Sequence, residues 1–186
     1  MIVENSSNNS VLSHIIFVTG GTKSGKSEFA EHLAKEAKKL SYVALSEKNT
    51  NDIEWQNKIN IHQQRRPKNW KLIETTDLLN TLKKEDGPLL IDSIGGFVME
   101  SIDRDSYEWL KNIDSLINLL KKRKSKTFIV GEQVGWSLVS EYKIGNTYIE
   151  RIGELQKMIT KIAKHNWLAI NGRAIKIDEI SLEIPT

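Results

Sequence analysis

Residues 15–31 read Ile15-Ile16-Phe17-Val18-Thr19-Gly20-Gly21-Thr22-Lys23-Ser24-Gly25-Lys26-Ser27-Glu28-Phe29-Ala30-Glu31. A short β-branched run gives way to a glycine-rich octet and then to residues with helical spacing. Gly20 to Ser27 satisfy G-x-x-x-x-G-K-[ST] at every fixed position, with the required strand before and helix after. Each part has a physical reason. Gly20, Gly21 and Gly25 let the backbone fold around phosphates, and with Thr22, Lys23 and Ser24 they form a loop whose N–H groups point inward. The helix that follows adds partial positive charge at its N-terminus. Lys26 is placed to reach the β- and γ-phosphates as a catalytic cation, and the Ser27 hydroxyl to ligate Mg²⁺. Such a loop works with an acid at the end of a neighbouring apolar strand. Leu89-Leu90-Ile91-Asp92 supplies it, making Asp92 a candidate metal and nucleotide ligand.

The rest of the chain alternates short apolar runs with amphipathic stretches. Strands are predicted at 15–19, 42–45, 71–74, 89–92, 127–130, 167–170 and 174–177, the last two joined through Asn171-Gly172, a hairpin signal. Helices are predicted over 26–39, 52–65 and 77–84. Asp105 with Glu108 resembles a capping box ahead of a further helix. Asn146 is a candidate cap for a long helix carrying Ile149, Ile152, Leu155, Ile159 and Ile162. This order predicts an α/β, P-loop NTPase-like three-layer domain with a mostly parallel sheet of about seven strands and a C-terminal antiparallel hairpin.

Composition bounds the function. The chain has 186 residues, 27 basic against 24 acidic, a formal charge of +3. One domain fits that length, and 39% hydrophobic residues can build its core. Residues 1–13 are Asn/Ser-rich without periodicity and read as a flexible tail, leaving 14–186 as the single catalytic domain. Cysteine is absent, which excludes disulfides, zinc–thiolate sites, iron–sulfur clusters and thiol nucleophiles. No apolar run approaches the roughly 20 residues of a membrane span. The first ten residues carry Glu4 and no basic cluster, unlike a signal peptide, so the expected location is cytoplasmic. Near-balanced charge gives no reason to expect nucleic acid. The run Lys121-Lys122-Arg123-Lys124 falls at a predicted helix C-terminus, where it complements the dipole in solvent.

The segment Ile61-His62-Gln63-Gln64-Arg65-Arg66-Pro67-Lys68-Asn69-Trp70 has its own chemistry. On a helix, Arg66 lies one turn beyond His62. Guanidiniums beside an imidazole disfavour imidazolium and leave a neutral nitrogen nucleophile. The same arginines suit a triphosphate. An incidental histidine on a surface helix is the alternative from these residues alone. His14, His32 and His165 lack such company and are read as structural.

With these motifs quoted, the sequence resembles the bifunctional adenosylcobinamide kinase / adenosylcobinamide-phosphate guanylyltransferase family of cobalamin (vitamin B12) biosynthesis. The resemblance covers about residues 15–178. It is carried by the loop, the His62–Trp70 segment with Glu74, the strand ending at Asp92, and Glu132-Gln133-Val134-Gly135-Trp136 before a long helix. It implies that His62 takes GMP from GTP as a phosphoramidate and passes it to adenosylcobinamide phosphate, giving adenosylcobinamide-GDP. It also implies phosphorylation of adenosylcobinamide with ATP or GTP, with Mg²⁺. Ser46, Gln63, Gln64, Arg65, Arg66, Glu74 and Asp92 match nucleotide-contacting positions. An acid among them can accept both N1–H and N2–H of guanine. Relatives assemble as homotrimers, and an open groove shaped by 46–66 and 132–146 would hold the corrinoid.

This sequence departs from the family pattern at Leu45, where Thr is frequent, and at Ser93-Ile94-Gly95-Gly96. It departs also at Ser137 and Ser140, and at Gln133, where many members carry an acid, a place that Glu132 could fill. The rival readings are a member with one activity only and a non-catalytic P-loop nucleotide switch. His62 separates them, because a switch has no use for a guanylylated histidine.

Overall fold

The computed structural model describes residues 14–46, 67–136 and 140–185. The predicted helix over 52–65 and the 1–13 tail lie outside the described residues. The chain runs β1 (Ile15–Gly20), α1 (Lys26–Ala34), β2 (Ser41–Ala44), β3 (Lys71–Glu74), α2 (Leu78–Lys84) and β4 (Leu89–Asp92). It continues through α3 (Gly95–Glu100), α4 (Ser106–Lys122), β5 (Thr127–Glu132), α5 (Lys143–Ile162), β6 (His165–Ile170) and β7 (Arg173–Lys176), then a 3₁₀ turn at Ile177–Glu179. One sheet forms in the order β3-β2-β4-β5-β1-β6-β7. Every pairing is parallel except that of β6 with β7. The predicted architecture is therefore the observed one. Among the described residues no helix is long and apolar enough to cross a membrane.

Strand alternation divides the core into two layers. Val18, Tyr42, Leu90, Phe128 and Val130 face Ala30 and Ala34 of α1. Phe17, Val43, Leu89, Ile91 and Ile129 face the other way, onto Ile113 and Leu116 of α4 and Ile152 and Leu155 of α5. Both faces are buried, which is why the central strands read as continuous apolar runs.

Local chemistry explains the boundaries. Asp105 caps α4 by accepting from the Glu108 amide at 2.8 Å, as its spacing predicts. Asn171 and Gly172 take φ of 49° and 73° in the β6–β7 turn, the positive pair that a tight hairpin needs. Helix α1 stops at Ala34 rather than continuing to 39. Leu40 must drop into the core, and the chain reverses at Lys39, φ 55°, to bring it there. Asn146 does not cap α5, which starts at Lys143. Its amide instead holds the preceding turn, accepting from Ser140 N at 3.1 Å and donating to Ser140 O at 3.0 Å. Short α3 is not among the helices predicted from the sequence. Arg123 does not simply face solvent. Its Nε donates to Thr127 Oγ1 at 3.0 Å, and its guanidinium holds the carbonyls of Glu85 and Gly87, tying α4 to the turn before β4.

A buried arginine locks the α3–α4 connection onto α5. Arg151 lies with its guanidinium carbon 5.1 Å from the Trp109 ring centre and donates to the carbonyls of Ser101, Ile102 and Arg104. Trp109 in turn donates to Glu154 at 2.8 Å. Arg151→Met should lower stability by roughly 2–4 kcal/mol in urea unfolding, because three carbonyls lose a charged donor while remaining covered. Arg151→Lys should recover only part of that, since an ammonium lacks the fork geometry.

Candidate nucleotide site

The site lies at the carboxyl ends of the parallel strands. Parallel register brings Gly20 beside Glu132 of β5, and Ala44 of β2 between Glu74 of β3 and Asp92 of β4. Ligands of open α/β sheets bind along this edge.

The loop folds as its glycines require. Gly25 sits at the head of α1 with φ 90°, a conformation that side-chain-bearing residues rarely adopt. Its carbonyl accepts the first helical bond, from Phe29 N at 2.9 Å. The Ser24 amide donates to Gly21 O at 3.3 Å, and Gly172 of the hairpin turn donates to Ser24 O at 3.1 Å. Lys26 Nζ donates to Gly21 O at 3.2 Å, which holds the ammonium over the loop. Thr22 and Lys23 are exposed at its tip, and the buried Ser24 hydroxyl has no hydrogen-bond partner among the described residues.

Asp92 joins the loop to β4. Ser27 Oγ donates to Asp92 Oδ1 at 3.2 Å, and Tyr42 OH donates to Asp92 Oδ2 at 2.6 Å. A hydroxyl and a carboxylate oxygen at this distance form a hard-oxygen pair that suits a small divalent cation. Among the described residues no cluster of three or more His, Cys, Asp or Glu forms a metal cage. Ser46 follows β2 along the same edge, partly buried like Glu74. Thus Gly20–Ser27 and Asp92 come together, with Ser46 and Glu74 further along the edge. His62, Gln63, Gln64, Arg65 and Arg66 lie outside the described residues.

Two glycines explain the unusual segment after Asp92. A Cβ on Gly96 would stand 2.1 Å from Leu45 O, and one on Gly95 would stand 2.3 Å from Tyr148 OH and 2.8 Å from Glu132 Oε1. Only glycines let α3 fit between the end of β2 and the Glu132–Tyr148 pair. Ser93 Oγ donates to Glu132 Oε1. Burial pushes the Glu132 carboxyl up to about 7; the nearby Lys26 charge opposes the shift and Asp92 adds to it. Burial, with the adjacent Glu132, also raises the Tyr148 phenol.

Gln133 has a different job. Its amide donates to Thr19 Oγ1 at 3.1 Å, Thr19 donates to Gln156 Oε1 at 2.6 Å, and Gln156 donates to Glu132 O at 2.9 Å. This network fixes the end of β5. Sequence reasoning gave Glu132 only a conditional place and missed Tyr42 and Tyr148. The available signal was an acid closing an apolar strand, the same one that singled out Asp92.

Known proteins resemble this chain over most of its length. Residues 16–177 match the model of the cobinamide kinase / cobinamide phosphate guanyltransferase family. The bifunctional adenosylcobalamin biosynthesis protein CobU of Escherichia coli is 28% identical over 181 residues, covering 88% of this chain and 99% of the relative. CobP of Pseudomonas aeruginosa, of the same description, is 27% identical over 161 residues, covering 83% and 92%. Among solved structures, an ATPase of a type III secretion system superposes with a TM-score of 0.51 at 12% identity over 83% of this chain. This chain spans 50% of that longer ATPase. A protein from Pyrococcus horikoshii gives 0.52 at 7% identity, covering 92% and 91%. At such identities the likeness is one of fold.

The Glu132 carboxyl makes stability depend on pH. Its folded value, about 7, lies above its ordinary 4.5, so the fold favours the protonated form. The resulting stabilisation is full below about 4.5 and is lost as pH rises through about 7. Glu132→Gln should remove that loss. In urea unfolding without nucleotide, the variant should gain about 1–3 kcal/mol on wild type between pH 5 and pH 8.

Proposed function

The chain belongs to the cobinamide kinase / cobinamide phosphate guanyltransferase family, and we propose that it carries out both family reactions on adenosylcobinamide. In the first, ATP or GTP phosphorylates the corrinoid. In the second, His62 takes GMP from GTP, releasing pyrophosphate, and passes it to adenosylcobinamide phosphate to give adenosylcobinamide-GDP. In this reading residues 14–186 act as one catalytic domain in the cytoplasm, with relatives' homotrimeric assembly as the expected state.

The observation that carries the reading is the Ser27–Asp92 contact beneath a glycine-rich loop headed by Lys26. It joins the phosphate cradle to an acid on a neighbouring strand, as triphosphate chemistry requires. The loop amides and the α1 N-terminus would hold the phosphates. Lys26 would turn from Gly21 O toward the β- and γ-oxygens. Ser27 and Asp92 would hold Mg²⁺, which neutralises phosphate charge when bound. Tyr42 keeps Asp92 oriented through its 2.6 Å hydrogen bond. Glu74 or Asp92 would read the guanine edge, since a carboxylate accepts from N1–H and N2–H together and adenine offers no such pair.

His62 is proposed as nucleophile from its sequence setting, with Arg65 and Arg66 beside it. Those guanidiniums favour the neutral imidazole and attract the triphosphate. Splitting the transfer into two steps avoids bringing two highly charged phosphorylated substrates together at one transition state.

The test is α-phosphate-labelled GTP with Mg²⁺, followed by denaturation and gel separation. Wild type should retain label that is lost in acid and stable in alkali, and His62→Ala should retain none. A folded, GTP-binding wild type without label would refute the covalent step and leave a kinase or a switch.

A further inference from the structure

Glu132 closes β5, the strand inserted between the loop-bearing β1 and the Asp92-bearing β4. It stands in register with Gly20, where the loop begins. Its Oε1 accepts from the Ser93 hydroxyl, while its Oε2 is buried without a hydrogen-bond partner among the described residues. A covered acceptor lacking a donor costs free energy, so the carboxyl gains by turning toward a donor when a ligand brings one to the site. The charged groups that act on it are Lys26 of α1 and Asp92 of β4, and the Tyr148 phenol flanks it from α5. A lysine at the Lys26 position of this loop type reaches the β- and γ-phosphates. Register with Gly20 and the contact to Ser93, next to Asp92, set Glu132 between the loop and the Asp92-bearing strand, on the side where that lysine acts. Asp92 is already engaged by Ser27 and Tyr42, and Gln133 is a neutral amide tied to Thr19.

We propose that Glu132 is the catalytic base of phosphoryl transfer, its Oε2 turning toward the loop to accept the proton of the corrinoid hydroxyl as that oxygen attacks the γ-phosphorus. The inference rests on the kinase reading above. The hydroxyl oxygen forms the new O–P bond. The bond from the γ-phosphorus to the β–γ bridging oxygen breaks, and its electron pair leaves with the nucleoside diphosphate. The proton on Glu132 passes to solvent after product release. A carboxyl raised to about 7 holds both protonation states near neutrality, as a base that must be regenerated requires.

The experiment measures two rates in wild type, Glu132→Gln and Glu132→Asp. One is γ-phosphoryl transfer from labelled ATP or GTP to adenosylcobinamide. The other is GMP transfer from GTP to adenosylcobinamide phosphate made beforehand. Nucleotide affinity, measured alongside, reports folding. Glu132→Gln should lower kcat for phosphorylation by about 10²–10⁴-fold and GMP transfer far less, with partial recovery in Glu132→Asp. Full phosphorylation by Glu132→Gln would overturn the inference alone. Equal loss of both rates together with weakened Mg²⁺ affinity would also overturn it, making Glu132 a metal ligand. A wild type that transfers GMP but no γ-phosphoryl group would overturn the kinase reading and this inference with it.

Discussion

β5 lies between the strand that ends in the loop and the strand that ends in Asp92, and the polar contacts of the site follow from the spacing this imposes. Two strand intervals separate β1 from β4 by roughly 9–10 Å. That gap is too wide for the loop backbone to touch Asp92 directly. It is closed from above, where the first turn of α1 carries Ser27 across to the carboxylate. It is filled from below by Glu132, which closes the intervening strand. Two acids are thereby held near one ammonium. One is oriented by hydroxyl donors on both oxygens, and the other is half-satisfied and shifted by burial. Carboxylates pushed into unlike environments are a recurrent way of dividing roles within a site.

The second constraint is the close fit of α3. Its two leading glycines touch opposite neighbours, Gly95 against Glu132 and Tyr148, Gly96 against Leu45. Leu45 and Gly96 are thus in contact. Gln133 and Glu132 divide their tasks in a similar way at the end of β5. The amide is absorbed into the Thr19–Gln156 network, and the carboxylate stands one residue earlier.

Much of this was legible in the sequence, for physical reasons that differ by element. The loop was legible because its chemistry tolerates few substitutions. Central strands were legible because burial on both faces leaves uninterrupted apolar runs, and α4 because Asp105 caps it locally. What escaped depends on partners distant in sequence. Helix α3 exists because its glycines fit against β2, β5 and α5, which no local propensity encodes. Arg151 carries no local signal of burial, yet it is covered and donates to carbonyls some 50 positions away. The end of α1 was misread because helical spacing persists to Ala37, whereas the burial of Leu40 decides where the chain turns.

The strand order also bears on how the protein is made. β1 is made before its two neighbours, β5 and β6, which lie more than 100 residues later in the chain. The Gly172 amide that braces the loop at Ser24 comes later still. The centre of the sheet therefore cannot close while the first half of the chain waits. β2, β3 and β4 can pair among themselves, but the loop-bearing strand remains an unpaired apolar segment until β5 and β6 have been made. Topologies dominated by such distant pairings fold slowly and expose sticky strands on the way. Competence to bind nucleotide therefore waits on strands and a turn far along the chain from the loop itself.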